Sequence, residues 1–361
     1  MTRAEDERWM RVALSLGRRH MGRTGSNPSV GCVIVKSGRV VGQGITAIGG
    51  YPHAEPQALE MAGSAAKDAT AYVTLEPCAH FGKTPPCASA LIDADIKKVV
   101  VGVSDPDKRV DGNGINMLRA ANIETKTGIL EEEVKRDLSG FLKSRRLGLP
   151  HVTLKLAQTI DGRIATASGE SQWITGPDAR RMAHLMRAQN DAILVGHGTV
   201  KVDNPALTTR LSGLESASPI RVVLNRNGGL PVDSVLLRDQ TVATWVVHSG
   251  PATALYAPHI RQIQVDADAT GKPDLTASLK ELARAGIMRV FCEGGAHLAA
   301  ALVKEKLIDE LAIFTAPKLI GGTGLPSLAD IGLAQLSESP DFQQRSFQVL
   351  GSDSFAIYTK S

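Results

Sequence analysis

Two short segments of this chain carry residues suited to metal-assisted hydrolysis: His53-Ala54-Glu55, and Pro77-Cys78 followed by Cys87 after eight intervening residues. One His and two Cys form a donor set that suits tetrahedral Zn²⁺, and a catalytic zinc site uses three protein ligands and leaves the fourth position to water. Glu55, two residues beyond His53, is placed to reach that water and move its proton. His53 and Cys87 each fall near the expected start of a helix, where free amides and the helix dipole favour a thiolate. The competing possibility is a closed structural site with a fourth ligand. Cys32 lies on an expected core strand and Cys292 in the other half of the chain, which leaves His80 as the one near candidate.

The elements that must position these residues follow from periodicity. Trp9, Met10, Val12, Ala13 and Leu16 recur at helical spacing, predicting an amphipathic helix over 3–20. GCVIVKSGRVVGQG (31–44) predicts two β-branched strands joined at Ser37-Gly38. A helix is expected over 53–65, with Pro56 close enough to its start to be tolerated. Strands are expected at 71–75 and 97–103, with a helix opening behind Pro85-Pro86 between them and another over 130–144. RRLGLP (145–150) predicts a boundary, dividing the chain into domains 1–147 and 148–361. Beyond it, strands are expected from 151 and at 191–196, 219–225, 242–248, 288–294 and 311–317. Helices are expected at 177–188, 274–286 and 296–306, and a terminal strand pair over 347–360. Strand–helix alternation in both halves predicts an α/β class.

Composition narrows the partners. The chain has 361 residues, 43% hydrophobic and 22% charged, with a net charge of +4. That balance suits a globular protein and gives no strong case for nucleic acid or membrane as partner. Four cysteines imply no disulfide framework, and no apolar run is long enough to cross a bilayer. The N-terminal segment has acidic residues and no sustained apolar stretch, so it does not read as a signal peptide, and a cytoplasmic location is expected.

The second half lacks a GxGxxG turn after a strand, so the usual dinucleotide fingerprint is missing. Five polar segments adjoin its expected strands instead: 154–165, 171–176, 195–210, 292–302 and 316–322. Glu293-Gly294-Gly295 running into AHLAAAL is the best candidate for a phosphate-binding helix start, though a simple turn into a helix explains it equally well.

The zinc-deaminase signature pairs H-x-E with P-C-x-x-C, and this chain departs from it by separating the cysteines by eight residues. With that spacing, NPSVG (27–31), HAE (53–55), TLEPCAHFGKTPPC (74–87) and Asp105-Pro106 resemble the deaminase half of the bifunctional riboflavin-biosynthesis deaminase–reductases. The five segments of the second half match, in order, the reductase half of the same family. The resemblance implies a cytidine-deaminase-like three-layer domain followed by a dihydrofolate-reductase-like α/β domain. It implies His53, Cys78 and Cys87 as zinc ligands and Glu55 as the proton carrier, with Asn27, His80 and Lys83 near the pyrimidine and ribose phosphate. The implied substrate is 2,5-diamino-6-ribosylamino-4(3H)-pyrimidinone 5′-phosphate, which loses its 2-amino group and is then reduced by NADPH at C1′.

For the reduction, the resemblance places Ala157, Trp173, Thr199, Asp203 and Gly295 against NADPH, and Ser171, Arg187, Leu207, Arg210 and Glu293 against substrate. Arg187 and Arg210 suit a phosphate clamp, because guanidinium forks bind phosphate bidentately. Asp203 is the expected proton donor, with a capping role before Asn204-Pro205 as its alternative, and Lys155 is expected as a catalytic residue in the substrate site, with a plain strand position as its alternative. Trp173, taken by itself, would more often be a core residue, and no role is assigned to His184, His197 or His297. Ser29, Pro56 and DPDKRVDGNG (105–114) depart from the commoner family pattern without removing a ligand or the carboxylate. A homo-oligomer acting on a small phosphorylated molecule is expected. The alternatives are a nucleic-acid base deaminase with an unrelated C-terminal domain, which should show stacking aromatics where this chain has 4%, and a non-catalytic nucleotide-binding protein with structural zinc.

Overall fold

A computed structural model describes residues 2–82, 85–107, 110–251 and 257–360. The chain divides into two compact units, Met1–Leu149 and Pro150–Ser361.

In the first unit the order is α1 (Arg3–Gly17), β1 (Gly31–Lys36), β2 (Arg39–Ile45), α2 (Ala54–Ala62), β3 (Thr70–Leu75), α3 (Cys87–Asp93), β4 (Lys98–Val103), α4 (Asn113–Ala120), β5 (Glu124–Thr127), α5 (Glu131–Asp137) and α6 (Ser139–Leu147). Thr2 caps α1 in a capping box with Glu5, satisfying free amides at both ends of that exchange. The strands form one sheet in the order β2-β1-β3-β4-β5, antiparallel between β2, β1 and β3 and parallel from β3 to β5. Alternation on β1 separates the two faces of the sheet. Gly31 abuts the Ala13 carbonyl of α1, while Cys32 and Ile34 pair with Gly44 and Gly42 on the opposite face, against α2. Those two glycines are required by close approach. A Cβ at Gly44 would lie 2.0 Å from the Ala54 carbonyl, and one at Gly42 would lie 2.1 Å from that of Ala58. The bare strand face seats α2 deep against the sheet and so fixes its first turn. One expectation changes here, and one stretch without an expectation proves structured. The helix expected over 130–144 breaks at Leu138 into α5 and α6, and the segment after Asp111 folds as α4 and β5.

The second unit continues with β6 (His151–Thr159), β7 (Arg163–Ala165), α7 (Pro177–Ala188), β8 (Ala192–Gly196), α8 (His197–Asp203), β9 (Ile220–Asn225), α9 (Val235–Arg238), β10 (Thr244–His248), β11 (Ile260–Gln264), α10 (Leu275–Arg284), β12 (Arg289–Cys292), α11 (Ala296–Lys304), β13 (Glu310–Ala316), β14 (Leu325–Pro326), β15 (Phe342–Leu350) and β16 (Asp353–Lys360). A nine-stranded sheet runs β11-β10-β9-β8-β12-β6-β13-β16-β15. Its strands are parallel from β11 to β13 and antiparallel through the terminal hairpin. The parallel strands carry buried Val and Ile runs, as sheets covered on both faces require. Ala179, Met182, Ala183 and Met186 of α7 pack with Phe314 and Phe355 from β13 and β16. That i, i+3, i+4, i+7 stripe leaves Arg180, His184 and Arg187 on the neighbouring stripe.

Candidate functional site

In the first unit, His53 is the residue immediately before α2, and Glu55 sits in the first turn of that helix, 4% exposed. Cys87 opens α3, and Cys78 lies on the loop that leaves β3. The His53 Nδ1 atom faces both sulfurs, at 3.8 Å from Cys78 Sγ and 3.4 Å from Cys87 Sγ. A tetrahedral zinc with ordinary Zn–N and Zn–S bonds would set such N···S edges at about 3.6 Å, so the donors fit the ion. Among the described residues, no fourth His, Cys, Asp or Glu joins this cluster, which suits a centre that keeps an open position. Cys32 is fully buried, and burial holds its thiol well above the usual range.

Electrostatics inside the cluster separate the groups. Hydrogen bonding from Cys87, side chain and then His53 and amide, pulls the Cys78 thiol down to about 4 against the cost of burial. The Cys87 amide donates to Cys78 Sγ at 3.3 Å. The Cys87 thiol, bonded to Cys78 and buried, is held high. Burial and the neighbouring Cys78 push the Glu55 carboxyl up to about 7. The Tyr51 ring stacks on that of His53 at 5.0 Å, bracing the imidazole from outside.

Glu76, which carries no expectation from the sequence, holds the floor of this site. Its buried carboxylate accepts the backbone amides of Asp105, Gly112 and Ile115, each at 3.2 Å. Those bonds draw the 105–115 segment against the loop bearing Cys78. Gly114 makes the contact possible: a Cβ there would lie 2.0 Å from the Pro77 carbonyl, next in sequence to the ligand. The sequence offers only one acid directly before Pro77-Cys78 as a sign of Glu76, because its partners are backbone groups. Asn27 Nδ2 donates to the Gly50 carbonyl at 3.0 Å, and its Oδ1 has no hydrogen bond among the described residues. His80 Nδ1 is buried with no hydrogen-bond partner among the described residues. Lys83 lies outside the described residues.

In the second unit, a cavity of about 540 Å³ opens at the C-terminal ends of parallel strands, the usual ligand position in such sheets. All eleven residues that the sequence marked in this half line it. Lys155 and Ala157 come from β6, Thr199 and Asp203 from α8, Glu293 and Gly295 from the turn between β12 and α11, and Arg187 from α7. Leu207 and Arg210 come from the segment after α8, and Ser171 and Trp173 from the loop before α7. Trp173 is no core residue: it is 59% exposed, with the Arg180 guanidinium over its ring at 4.6 Å. Gly295 precedes α11, and a Cβ there would find only Thr199 Oγ1, at 3.9 Å. A flat backbone at a helix start beside an exposed indole fits a phosphate-bearing dinucleotide.

Glu293 is the electrostatic centre of this cavity. Its Oε1 accepts from Arg187 Nε at 2.5 Å, and its Oε2 accepts from Arg187 Nη2 at 3.1 Å and Lys155 Nζ at 3.3 Å. Burial raises its pKa, but Arg187 and then Lys155 outweigh that and hold the carboxyl at about 2. Arg187 Nη1 also donates to the Thr208 carbonyl at 2.9 Å, so most of its fork is engaged within the protein. The guanidinium of Arg210 is exposed and makes no ion pair among the described residues. Desolvation raises the Asp203 carboxyl at the cavity mouth, with Lys155 pulling the other way. His184, for which the sequence offered no role, also lines the cavity.

Residues 150–355 match the family described as RibD C-terminal domain, and residues 3–103 match the cytidine and deoxycytidylate deaminase zinc-binding region. The chain is 41% identical to the riboflavin biosynthesis protein RibD of Escherichia coli, covering 97% of this chain and 98% of that one. It is 39% identical to RibD of Aquifex aeolicus, with 98% of each chain covered. Among solved structures, Acinetobacter baumannii RibD aligns with a TM-score of 0.88 at 37% identity, covering 100% of both chains. A deaminase/reductase from Thermotoga maritima, whose name specifies a diaminohydroxyphosphoribosylaminopyrimidine and 5-amino-6-(5-phosphoribosylamino)uracil, aligns at 0.89 with 35% identity over 99% of each chain. The architecture is accordingly a cytidine-deaminase-like domain followed by a dihydrofolate-reductase-like one, with mixed α/β sheets in both. Similarity of this extent over the whole length makes the chain a member of the RibD family of bifunctional riboflavin-biosynthesis deaminase–reductases.

Proposed function

We propose that the chain catalyses two consecutive steps. The first is hydrolytic deamination of 2,5-diamino-6-ribosylamino-4(3H)-pyrimidinone 5′-phosphate. The second is NADPH-dependent reduction of the ribosyl group of that product to ribityl. The observation that carries this proposal is the pairing, in one chain, of a three-donor His/Cys/Cys cluster beside a buried carboxylate with a strand-end cavity rich in cations.

In the first step His53, Cys78 and Cys87 hold zinc, which when bound supplies Lewis-acid activation of the attacking water. Glu55 takes a proton from that water and delivers it to the 2-amino nitrogen, which leaves as ammonia. A carboxyl pushed toward neutrality by burial is suited to both halves of that transfer. Asn27 Oδ1 and His80 Nδ1, which has no partner among the described residues, offer polar contacts to the pyrimidine, and Lys83 offers a cation to the phosphate.

In the second step NADPH supplies the hydride that C1′ receives. Ala157, Trp173, Thr199, Asp203 and Gly295 form the cofactor side of the cavity, and Ser171, Arg187, Leu207, Arg210 and Glu293 the substrate side. Asp203, its carboxyl raised by desolvation, donates a proton near the nitrogen attached to C1′. Lys155 is tied to Glu293 and so orients the polar wall against which the sugar lies. Arg210 presents its open guanidinium to the phosphate, with Arg187 adding positive charge behind it.

In this proposal the enzyme acts in the cytoplasm, in keeping with its four free cysteines, and needs neither nucleic acid nor membrane. No helix among the described residues is long and apolar enough to cross a membrane. A homo-oligomer is supported by the edge strand β15, where Phe347 and Val349 are 58% and 70% exposed. The test follows ammonia and NADPH together in one reaction of purified protein, the diaminopyrimidine substrate and NADPH. Glu55→Gln should reduce ammonia release at least about 100-fold while bound zinc, and NADPH oxidation on the deaminated intermediate, remain. Undiminished ammonia release would overturn the role of Glu55.

A further inference from the structure

We infer that His184 is a positioning residue for the reduction: by accepting the Arg210 backbone amide it fixes the direction in which the Arg210 guanidinium meets the phosphate of the substrate. The inference rests on the proposal that Arg210 binds that phosphate.

His184 and Arg187 are neighbours on one stripe of α7, three residues apart, and both line the cavity. Together they clasp the backbone of a single short segment. Arg187 Nη1 donates to the Thr208 carbonyl at 2.9 Å, and His184 Nδ1 accepts the Arg210 amide at 3.3 Å. The opposite side of the segment is tied as well, since the Thr209 amide donates to Ser218 Oγ at 3.0 Å. Leu207, just before, holds a φ of +54°, a conformation that branched residues keep only when their surroundings enforce it. The backbone from Leu207 to Arg210 is therefore held by side chains on either flank, whereas the Arg210 guanidinium itself makes no ion pair among the described residues. Its aim into the cavity depends on where its backbone is pinned.

The pin works only while the imidazole is neutral, because a protonated ring would present N–H to N–H. Burial, followed by the charges of Arg187 and Arg210, pushes the His184 pKa down to about 4, against pulls in the other direction from Glu293 and the Thr208 carbonyl. The acceptor is thus available throughout the neutral range. A phosphate also occurs on NADPH, so the test separates substrate phosphate from cofactor phosphate.

Steady-state reduction would be measured for wild type, His184→Ala, His184→Gln and Arg210→Ala. The substrates are 5-amino-6-(5-phosphoribosylamino)uracil and the same compound without its 5′-phosphate, with KM for NADPH determined in parallel. The readout is the ratio of kcat/KM for the phosphorylated over the dephosphorylated substrate. His184→Ala should lower this ratio about tenfold, the equivalent of one hydrogen bond of about 1.4 kcal/mol. His184→Gln, whose amide oxygen also accepts, should restore most of it. In protein without cofactor, binding of ribose 5-phosphate by calorimetry should weaken by a similar factor for His184→Ala.

Equal loss on both substrates would assign His184 to packing alone and overturn the inference, as would a rise confined to the KM for NADPH. A normal ratio in Arg210→Ala would overturn the phosphate assignment beneath it. A fall in Arg210→Ala with no change in His184→Ala would leave that assignment standing and overturn only the role of His184.

Discussion

Glu293→Gln removes a negative charge held between two cations, and the cost of the change should itself depend on pH. The carboxyl lies at about 2 in the folded protein, against an ordinary value of 4.5. Burial works against the ionised form, so the lowering measures how far Arg187, with bonds of 2.5 and 3.1 Å, and Lys155, at 3.3 Å, exceed that penalty. An acid whose folded pKa lies below its unfolded one contributes stability that is complete above the unfolded value. That stability drains away as pH falls toward the folded value. At about 1.4 kcal/mol for each pH unit between the two, the contribution is about 3 kcal/mol at pH 6 and about 1 kcal/mol at pH 3. Gln stands in for the protonated acid, so the gap between wild type and variant should shrink by that amount across the range. The assay is urea unfolding of the full chain followed by tryptophan fluorescence, with Trp9 replaced by Phe in both proteins. The signal then comes from Trp173 and Trp245, both in the second unit. A gap of the same size at pH 6 and pH 3 would refute the claim that ionised Glu293 is net stabilised by its two partners.

Two further outcomes concern the first unit. Gly114→Ala forces a Cβ toward the Pro77 carbonyl, and overpacking of this kind costs about 1–3 kcal/mol. Because Pro77 precedes Cys78, zinc affinity measured by competition with a chromophoric chelator should fall about tenfold or more. Unaltered affinity would show that the loop absorbs the methyl without moving the ligand. Removal of zinc by a chelator should stop ammonia release while NADPH oxidation on the deaminated intermediate continues; parallel loss of both activities would mean that the second site depends on the metal.

The cluster in the first unit was legible because it depends on side-chain types at fixed separations: His53, Cys78 and Cys87 read as a donor set, with Glu55 as the proposed proton carrier, before any fold is known. The β-branched runs of β1, β3, β4, β8 and β9 were equally plain. What escaped was written in backbone contacts or in short segments of mixed signal. Glu76 acts through three amides, and a carboxylate that binds main chain leaves no spacing to read. His184 takes its meaning from an amide 26 residues away. α8 is seven residues long and includes a glycine and three β-branched residues, so its local preference opposed the helix that tertiary packing imposes. α4 opens on Asn113-Gly114, a pair that reads as a turn until the approach of Pro77 explains the glycine. The helix expected over 130–144 starts where the structure has one but ends three residues short of Leu147, and its break at Leu138 leaves no mark in the periodicity.

The three amide bonds accepted by Glu76 bear on more than the placement of Cys78. They belong to the polypeptide and owe nothing to the ion, as does the seating of α2 on Gly42 and Gly44 that sets His53 at a helix start. The donors are thus brought to within 4.8 Å of one another by main-chain hydrogen bonding and helix docking. In small zinc modules the metal supplies the ordering free energy of the chain that wraps it, so losing the ion means losing the fold. Here the hydrogen bonds to Glu76 and the docking of α2 order the ligand loops through protein contacts, so less of the zinc affinity should be needed to hold them. Exchange of the metal is then expected to be a local event: after chelation the far-UV circular dichroism should match that of the loaded protein, and added zinc should restore ammonia release without a refolding step.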